Sequence, residues 1–306
     1  VSSWLAALRD LFGDKLQENV SLAAYTSARI GGLADALVTV KSADELAETV
    51  TRLWGMRVPY VLLGGGSNVL VSDRGVRGVV VLNRAKDVRF ETGDQPKVWA
   101  EAGAGFTSLA NRAAEYGLAG LEWAATVPGT VGGAVYGNAG AFGGDVAGSL
   151  ISAEILTENG REHWPVEKMK YGYRTSALKR STLKFVILSA EMRLRHGVKE
   201  DVRFKMSEFV FRRKSTQPPG ASMGSMFKNP EGDFAGRLIE AAGLKGKRIG
   251  NAEISAVHGN FFVNQGDTKA SDIRRLIELA QKTVMKKFGV ALELEIEMIG
   301  DWEERK

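Results

Sequence analysis

The sequence predicts an α+β protein of two or three domains, on three observations. The chain has 306 residues, more than one average core accommodates. Its 44% hydrophobic and 25% charged residues are the balance of a soluble globular protein. Short strand-like runs outnumber long helical ones in the first part of the chain. Their order is not a regular strand–helix–strand repeat, which argues against a doubly wound parallel sheet. Domain boundaries are expected near residues 84 and 200.

The elements follow in order. Ser42-Ala43-Asp44-Glu45 has the spacing of a capping box and opens a helix to about Trp54. Tyr60 to Leu63 reads as a short buried strand that ends in a glycine run. Val69 to Val71 and Val79 to Leu82 read as strands, with Asp73-Arg74-Gly75 as a turn between them. Lys97 to Gly103 alternates as a strand, and Phe106 to Tyr116 reads as a helix stopped by Gly117. Ile151 to Thr157 and Phe185 to Leu194 are expected strands, and Val198 to Arg213 a helix. Asp233 is expected to cap a helix that stops at Gly243. Asn260 to Asn264 reads as a strand, Ser271 to Phe288 as a long amphipathic helix, and Ala291 to Ile299 as a final alternating strand.

Composition removes several chemistries. The chain has no cysteine, which excludes disulfides, thiol nucleophiles and thiolate metal sites. His163, His196 and His258 are far apart and show no metal-ligand spacing, so no metal is expected. No apolar run approaches the roughly 18 residues of a spanning helix, and no basic-then-apolar leader opens the chain. A cytoplasmic protein without a membrane partner is the expectation. The net charge of +5 is local: residues 201–250 hold ten Lys/Arg against five Asp/Glu, and the remainder holds 31 of each. Such a field favours an anionic partner, although a solvated basic helix would have the same composition. No aromatic-basic run or zinc-finger spacing points to nucleic acid.

Two glycine-rich segments could hold an anion. Gly64-Gly65-Gly66-Ser67-Asn68 follows a strand; its backbone N–H groups can converge, and Ser67 and Asn68 add side-chain hydrogen bonds. Val127-Pro128-Gly129-Thr130-Val131-Gly132-Gly133-Ala134 continues to Asn138-Ala139-Gly140-Ala141-Phe142-Gly143-Gly144 with almost no charge. Small side chains there would let a large flat ligand approach the main chain. Neither segment has the Rossmann fingerprint: Val69 stands where the third glycine belongs, as Ser108 does after Gly103 and Gly105. Gly243-Leu244-Lys245-Gly246-Lys247 lacks both the spacing and the hydroxyl of a phosphate-binding P-loop. A single glycine cluster is most often a turn. Two uncharged loops of this length suit a dinucleotide with a long diphosphate.

The most unusual run is Ser222-Met223-Gly224-Ser225-Met226-Phe227-Lys228-Asn229-Pro230. It is too glycine-interrupted for a stable helix and too polar for a core strand, so a glycine turn presenting the Ser225 hydroxyl is expected.

Taken in order, these segments carry a family resemblance. Thr26-Ser27-Ala28-Arg29-Ile30-Gly31-Gly32, the Gly64 to Leu70 loop, Val127 to Gly144 and Gly172-Tyr173-Arg174-Thr175-Ser176 lead the set. Gly224 to Pro230, Ala242 to Gly246, His258-Gly259-Asn260-Phe261-Phe262-Val263-Asn264 and Leu292-Glu293-Leu294-Glu295 complete it. The chain resembles the UDP-N-acetylenolpyruvoylglucosamine reductase (MurB) family nearly end to end, in its shorter branch without the extra tyrosine-bearing loop. The resemblance implies an FAD-binding domain of the vanillyl-alcohol-oxidase/PCMH type in two lobes, residues 1–84 and 85–199. It also implies a C-terminal α+β substrate domain at 200–299 and a tail at 300–306.

The implied reaction reduces an enolpyruvyl ether on a UDP-sugar to the lactyl ether, in peptidoglycan precursor synthesis. FAD would be bound non-covalently and NADPH would be the co-substrate. A hydride reaches the terminal carbon of the enolpyruvyl group, and a proton must then reach its neighbour. By resemblance, Arg174 contacts the substrate carboxylate, a protonated Glu295 hydrogen-bonds it, and Ser225 donates the proton. Arg29, Gly64, Gly65, Gly66, Ser67, Asn68, Val127, Pro128, Gly129, Gly132, Gly133, Asn138, Gly140 and Ala141 would contact FAD. Tyr173, Lys228, Asn229 and His258 would contact substrate.

Without the resemblance these residues read differently. Arg174 could pair with a surface acid, and Glu293, Glu295 and Glu297 would form one solvated strand face. His258 beside a strand is most often structural. Glu297 stands where the family often has a basic residue, and Thr126 where glycine is common. A competing reading is an FAD-dependent carbohydrate or alcohol oxidase of the same flavin fold. Such enzymes often tether the flavin through His or Cys, and neither glycine loop contains one. A third is a non-catalytic anion-binding protein. A monomer or weak oligomer is expected.

Overall fold

The run Val76–Asn83 is apolar on both faces and buried almost throughout, as befits the middle of a sheet covered on both sides. It lies between Leu33–Val40 and Tyr60–Leu63, parallel to both, and Leu16–Ser21 closes the sheet antiparallel to Leu33–Val40. A computed structural model describes residues 3–302 of the chain. The helix Ala43–Gly55 packs on this first sheet through Leu46, Val50 and Leu53. Its capping box is formed as expected on one side only. Ser42 Oγ accepts from Glu45 N at 3.1 Å, while the Glu45 carboxylate reaches back to Lys41 N at 2.7 Å instead of Ser42 N.

A second sheet is antiparallel throughout, in the order Gly160–Pro165, Leu150–Thr157, Phe185–Arg193, Lys97–Glu101, Val88–Glu91. Leu156, Val186 and Leu188 face the first sheet's helix and join its core, so the two lobes share buried surface. The other face is covered by the helix Phe106–Glu115 and by Val202 and Met206 of the helix Lys199–Thr216. A boundary at residue 200 would place that last helix in the third domain; its two buried side chains, Val202 and Met206, pack in the second core.

The third unit is a four-stranded antiparallel sheet, Ala221–Ser225, Phe261–Asn264, Ala252–Ile254, Arg248–Ile249, backed by the helix Ala270–Phe288. Its core also takes in Ala28, Ile30 and Leu70 from the N-terminal part of the chain. Asp73 joins the two regions: its carboxylate oxygens accept from Ala270 N at 2.6 Å and Ser271 N at 2.9 Å, at the start of the long helix.

Four expectations are corrected. The final segment is not one strand. Lys228 N bonds to Glu293 O and Glu295 N to Met226 O, whereas Glu297–Ile299 runs parallel to Val69–Val71 in a separate two-stranded sheet. Ala235–Ala241 begins after Phe234, and Asn229 Oδ1, not Asp233, accepts from its first amide at 3.1 Å. Asp233 instead pairs with Arg237. The run around Ser225 is not a free turn, because Ala221–Ser225 pairs with Phe261–Asn264 across an irregular register. Within the second glycine segment, Thr130 caps a helix Val131–Gly137 that buries Val131, Ala134 and Val135. Of the expected tail, Gly300, Asp301 and Trp302 are described, with Arg74 paired to Asp301 at 2.8 Å; residues 303–306 lie outside the described residues. Among the described residues no helix is long and apolar enough to cross a membrane.

Candidate active site

A cleft of roughly 380 Å³ opens where the three cores meet. Its floor is the two glycine segments, which pack against one another backbone to backbone. A Cβ on Gly65 would stand 2.9 Å from Gly129 Cα, and one on Gly64 would stand 2.5 Å from Thr130 Oγ1. No other residue type allows that approach. Ser67, Asn68, Val127, Pro128, Gly129, Gly133, Gly140 and Ala141 line the cleft. They form an uncharged trough.

The walls carry the charge. Arg174 has a left-handed backbone, φ +54°, and its Nη2 donates to Gly140 O at 2.7 Å, which aims the guanidinium along the trough. Its Nε lies 2.9 Å from Glu295 Oε1. The contact is a close ion pair off the hydrogen-bond line, since the buried Nε has no acceptor aligned with it among the described residues. Glu295 is brought there by the handover in the final segment. Its own N–H bonds to Met226 O at 2.9 Å and its carbonyl accepts from Asn68 Nδ2 at 3.1 Å, tying the third unit to the first glycine loop. Burial pushes the Glu295 carboxyl above the usual carboxylate range, against the opposing charges of Arg174, Lys179 and Lys228.

Ser225 lines the cleft from the third sheet. Gly224 before it has φ +77°, and the register of the strand pair shifts between Ser222 and Ser225. That irregularity re-aims the side chain. The segment after it is held rigidly: buried Asn260 accepts from Phe227 N at 2.9 Å, donates to Phe227 O at 2.8 Å, and accepts from Met226 N through its own carbonyl. The Ser225 hydroxyl bonds to no other described residue.

Other expected residues stand apart from the cleft lining. Arg29 is exposed, and its carbonyl accepts from Asn264 Nδ2 at 3.4 Å. Gly66 tucks under Tyr25 O, and Gly132 N donates to Ala102 O at 2.8 Å. Asn138 is buried; its amide bonds Gly172 O at 3.0 Å and Ala147 N at 2.9 Å, so it braces the Arg174 loop. Asn229 N donates to the Tyr173 hydroxyl at 3.4 Å, and the Tyr173 ring lies 5.5 Å from the Arg174 guanidinium. Lys228 Nζ reaches Glu293 at 3.2 Å. His258 Nδ1 accepts from Asn260 N at 3.1 Å and its ring packs on Phe261 and Gly236.

The cleft also contains residues that sequence reading did not single out. Lys179 pairs with Glu297 at 2.6 Å. Arg213 donates to Gln217 Oε1 at 2.7 Å and to Thr126 Oγ1 at 3.2 Å, so the Thr126 departure gives it an anchor. Burial and the neighbouring Arg174 press the Arg213 pKa downward. Thr130, Phe142, Met223 and Gln217 also line the cleft. The one available signal was the local basic excess, which contains Arg213. These residues fit a flavin dinucleotide: an uncharged trough floored by glycine segments so closely packed that a Cβ at Gly64 or Gly65 would collide with the other segment. Among the described residues no His/Cys/Asp/Glu cluster could hold a metal.

Comparison with known proteins agrees. Residues 34–164 match the family model of an FAD binding domain, and residues 215–299 that of the UDP-N-acetylenolpyruvoylglucosamine reductase C-terminal domain. A UDP-N-acetylenolpyruvoylglucosamine reductase from Chloroflexus aggregans is 44% identical over 292 residues, 93% of this chain and 97% of that protein. One from Rubrobacter xylanophilus is 46% identical over 277 residues, 90% and 93% of the two chains. The crystal structure of UDP-N-acetylenolpyruvylglucosamine reductase (MurB) from Thermus caldophilus superposes with TM-score 0.78 at 36% identity, covering 91% of this chain and 97% of that one.

Proposed function

This chain belongs to the UDP-N-acetylenolpyruvoylglucosamine reductase family, and on that premise we infer that it is an FAD-dependent reductase of UDP-N-acetylenolpyruvoylglucosamine. NADPH is the reductant in this reading, and the protein acts in the cytoplasm as a monomer or weak oligomer. The observation that carries the reading is the meeting of Arg174, Ser225 and Glu295, far apart in sequence, around one glycine-floored cleft.

FAD, when bound, supplies hydride chemistry. Ser67, Asn68, Val127 to Gly129, Gly133, Gly140 and Ala141 would hold it against the trough. The chain's own work is orientation, charge and a proton. Arg174 receives the substrate carboxylate with its planar donor fork and offsets the negative charge that grows there during reduction. Glu295, in its protonated form, would donate a hydrogen bond to the same group, and burial shifts its carboxyl toward that form. Reduction of the ether also needs a proton at the carbon beside the carboxylate; Ser225 would give its hydroxyl proton there, and water would restore the hydroxyl. A free serine is a weak acid, so this step needs a strongly basic carbanion facing it. Arg213 suits the anionic remainder of the UDP-sugar.

The test is direct. Purified protein should be yellow, bleach with NADPH, and recover its colour when the enolpyruvyl UDP-sugar is added, with the product two hydrogens heavier by mass spectrometry. A colourless protein, or a bleached one that the sugar does not reoxidise, overturns the reading.

A further inference from the structure

Glu295 and Glu297 flank Ile296, where the chain bends just before the strand Glu297–Ile299. One meets Arg174 at 2.9 Å, the other meets Lys179 at 2.6 Å, and these cations are five residues apart in a single loop. Two parallel ion pairs therefore stand side by side at the cleft wall. Lys179 is four-fifths buried and lines the cleft. Its Nζ sits between the Glu297 carboxylate and the Tyr136 ring, 5.7 Å from the ring centre. Glu297 Oε1 is buried and has no aligned hydrogen-bond donor among the described residues, so the pair is held by charge. Glu297 itself cannot drift, because its N–H bonds to Asn68 O at 2.9 Å and its strand pairs with Val69–Val71.

The charged groups around Glu295 are Arg174 and Lys179 from the loop and Lys228 from the segment after Ser225. Arg174 is also held by Gly140 O, and Lys228 by Glu293. Lys179 has Glu297 as its ion-pair partner. Without that partner a buried ammonium would seek the next carboxylate, and that carboxylate is Glu295. Two unshared cations beside one carboxyl favour its ionised form. An ionised Glu295 would repel a substrate carboxylate where a neutral one donates to it.

We propose that Glu297 is a positioning residue for Glu295: by holding the Lys179 ammonium on its own carboxylate, it keeps that charge off the Glu295 carboxyl and sets the protonation state in which Glu295 meets a ligand. The proposal rests on the reading of Glu295 given above, but its test does not need turnover. In flavin-loaded protein labelled with carboxyl-¹³C glutamate, the Glu295 resonance is assigned by its absence in Glu295→Gln and titrated. Glu297→Gln should lower its midpoint by on the order of one pH unit, and Lys179→Gln should raise it. In a Lys179→Gln background, Glu297→Gln should leave the midpoint where Lys179→Gln put it. The alkaline limb of the pH profile for sugar-dependent flavin reoxidation should move with the midpoint, a response that loosened packing alone would not produce. Glu297→Asp keeps the charge and should restore much of both. An unmoved midpoint in Glu297→Gln overturns the proposal, and so does an equal shift with and without Lys179. Failure of every variant and the wild type to reduce the sugar would instead overturn the functional reading, leaving the titration result intact.

Discussion

Arg174 sits in a left-handed conformation that a long side chain rarely adopts, and it is kept there by Gly140 O and by Asn138, which braces its loop through Gly172. Strain of this kind persists where the surroundings over-determine it, and here they aim a guanidinium at Glu295. Ser225 owes its direction to Gly224 and its rigidity to Asn260. If Ser225 is the proton donor, Ser225→Ala should leave NADPH bleaching of the flavin near its normal rate and slow reoxidation by the enolpyruvyl sugar roughly 10²–10⁴-fold. Stopped-flow absorbance separates the two steps, and normal reoxidation would remove the assignment. Glu295→Gln should be milder, because an amide still donates a hydrogen bond. The same residue predicts a pH effect on stability. Its folded pKa is raised, so its contribution is fully present below the unfolded value of about 4.3 and is lost as pH rises through the folded one. Urea midpoints measured from pH 4 to 8 should decline less steeply in Glu295→Gln than in wild type; identical slopes would mean the carboxyl does not titrate as burial requires.

Elements whose burial is one-sided, or whose runs are short and apolar, were legible in the sequence. Tyr60–Leu63, Val69–Val71 and the helix Ala270–Phe288 fall where alternation, turn residues and helical periodicity put them. Leu33–Val40 is buried along most of its length and shows no clean alternation, so it passed unread. Val131–Gly137 was hidden by glycine, the poorest helix former after proline; only its buried Val131, Ala134 and Val135 make it a helix. The final segment was misread as one strand because its alternation continues while its partner changes, from Met226 and Lys228 to Val69–Val71. Pattern reports which face is buried, not which neighbour buries it. The trio of Arg174, Ser225 and Glu295 came from the family resemblance, while Lys179 and Arg213 needed the fold to bring them near. The contact between the glycine segments gives an element-scale test. Gly65→Ala forces a Cβ to 2.9 Å from Gly129 Cα, backbone that cannot swing aside. Flavin affinity should fall at least roughly tenfold, about 1.4 kcal/mol, with the third sheet's fold unchanged by circular dichroism and fluorescence. Unchanged affinity by flavin fluorescence titration would mean that the trough does not hold the cofactor.

At the scale of the molecule, the three units are not beads on a string. Leu156, Val186 and Leu188 of the second sheet bury in the first lobe's core, and Ala28, Ile30 and Leu70 bury in the third unit's core. Asp73 reaches the long C-terminal helix, and Glu297–Ile299 returns to pair with the N-terminal lobe. The cleft is lined from all three, which is why its catalytic candidates come from residues 174, 225 and 295. A ligand seated there binds only the assembled arrangement, so its binding energy stabilises every unit that contributes to the assembly. At a hundredfold excess over its Kd, FAD should add about 2.7 kcal/mol to unfolding. Hydrogen exchange should then slow by a similar factor in Lys97–Glu101 and in Phe261–Asn264, although the second strand lies outside the matched FAD-binding region at 34–164. If flavin protects only residues within that region, the third unit opens independently, and the shared core through Ala28, Ile30 and Leu70 does not couple it to cofactor binding.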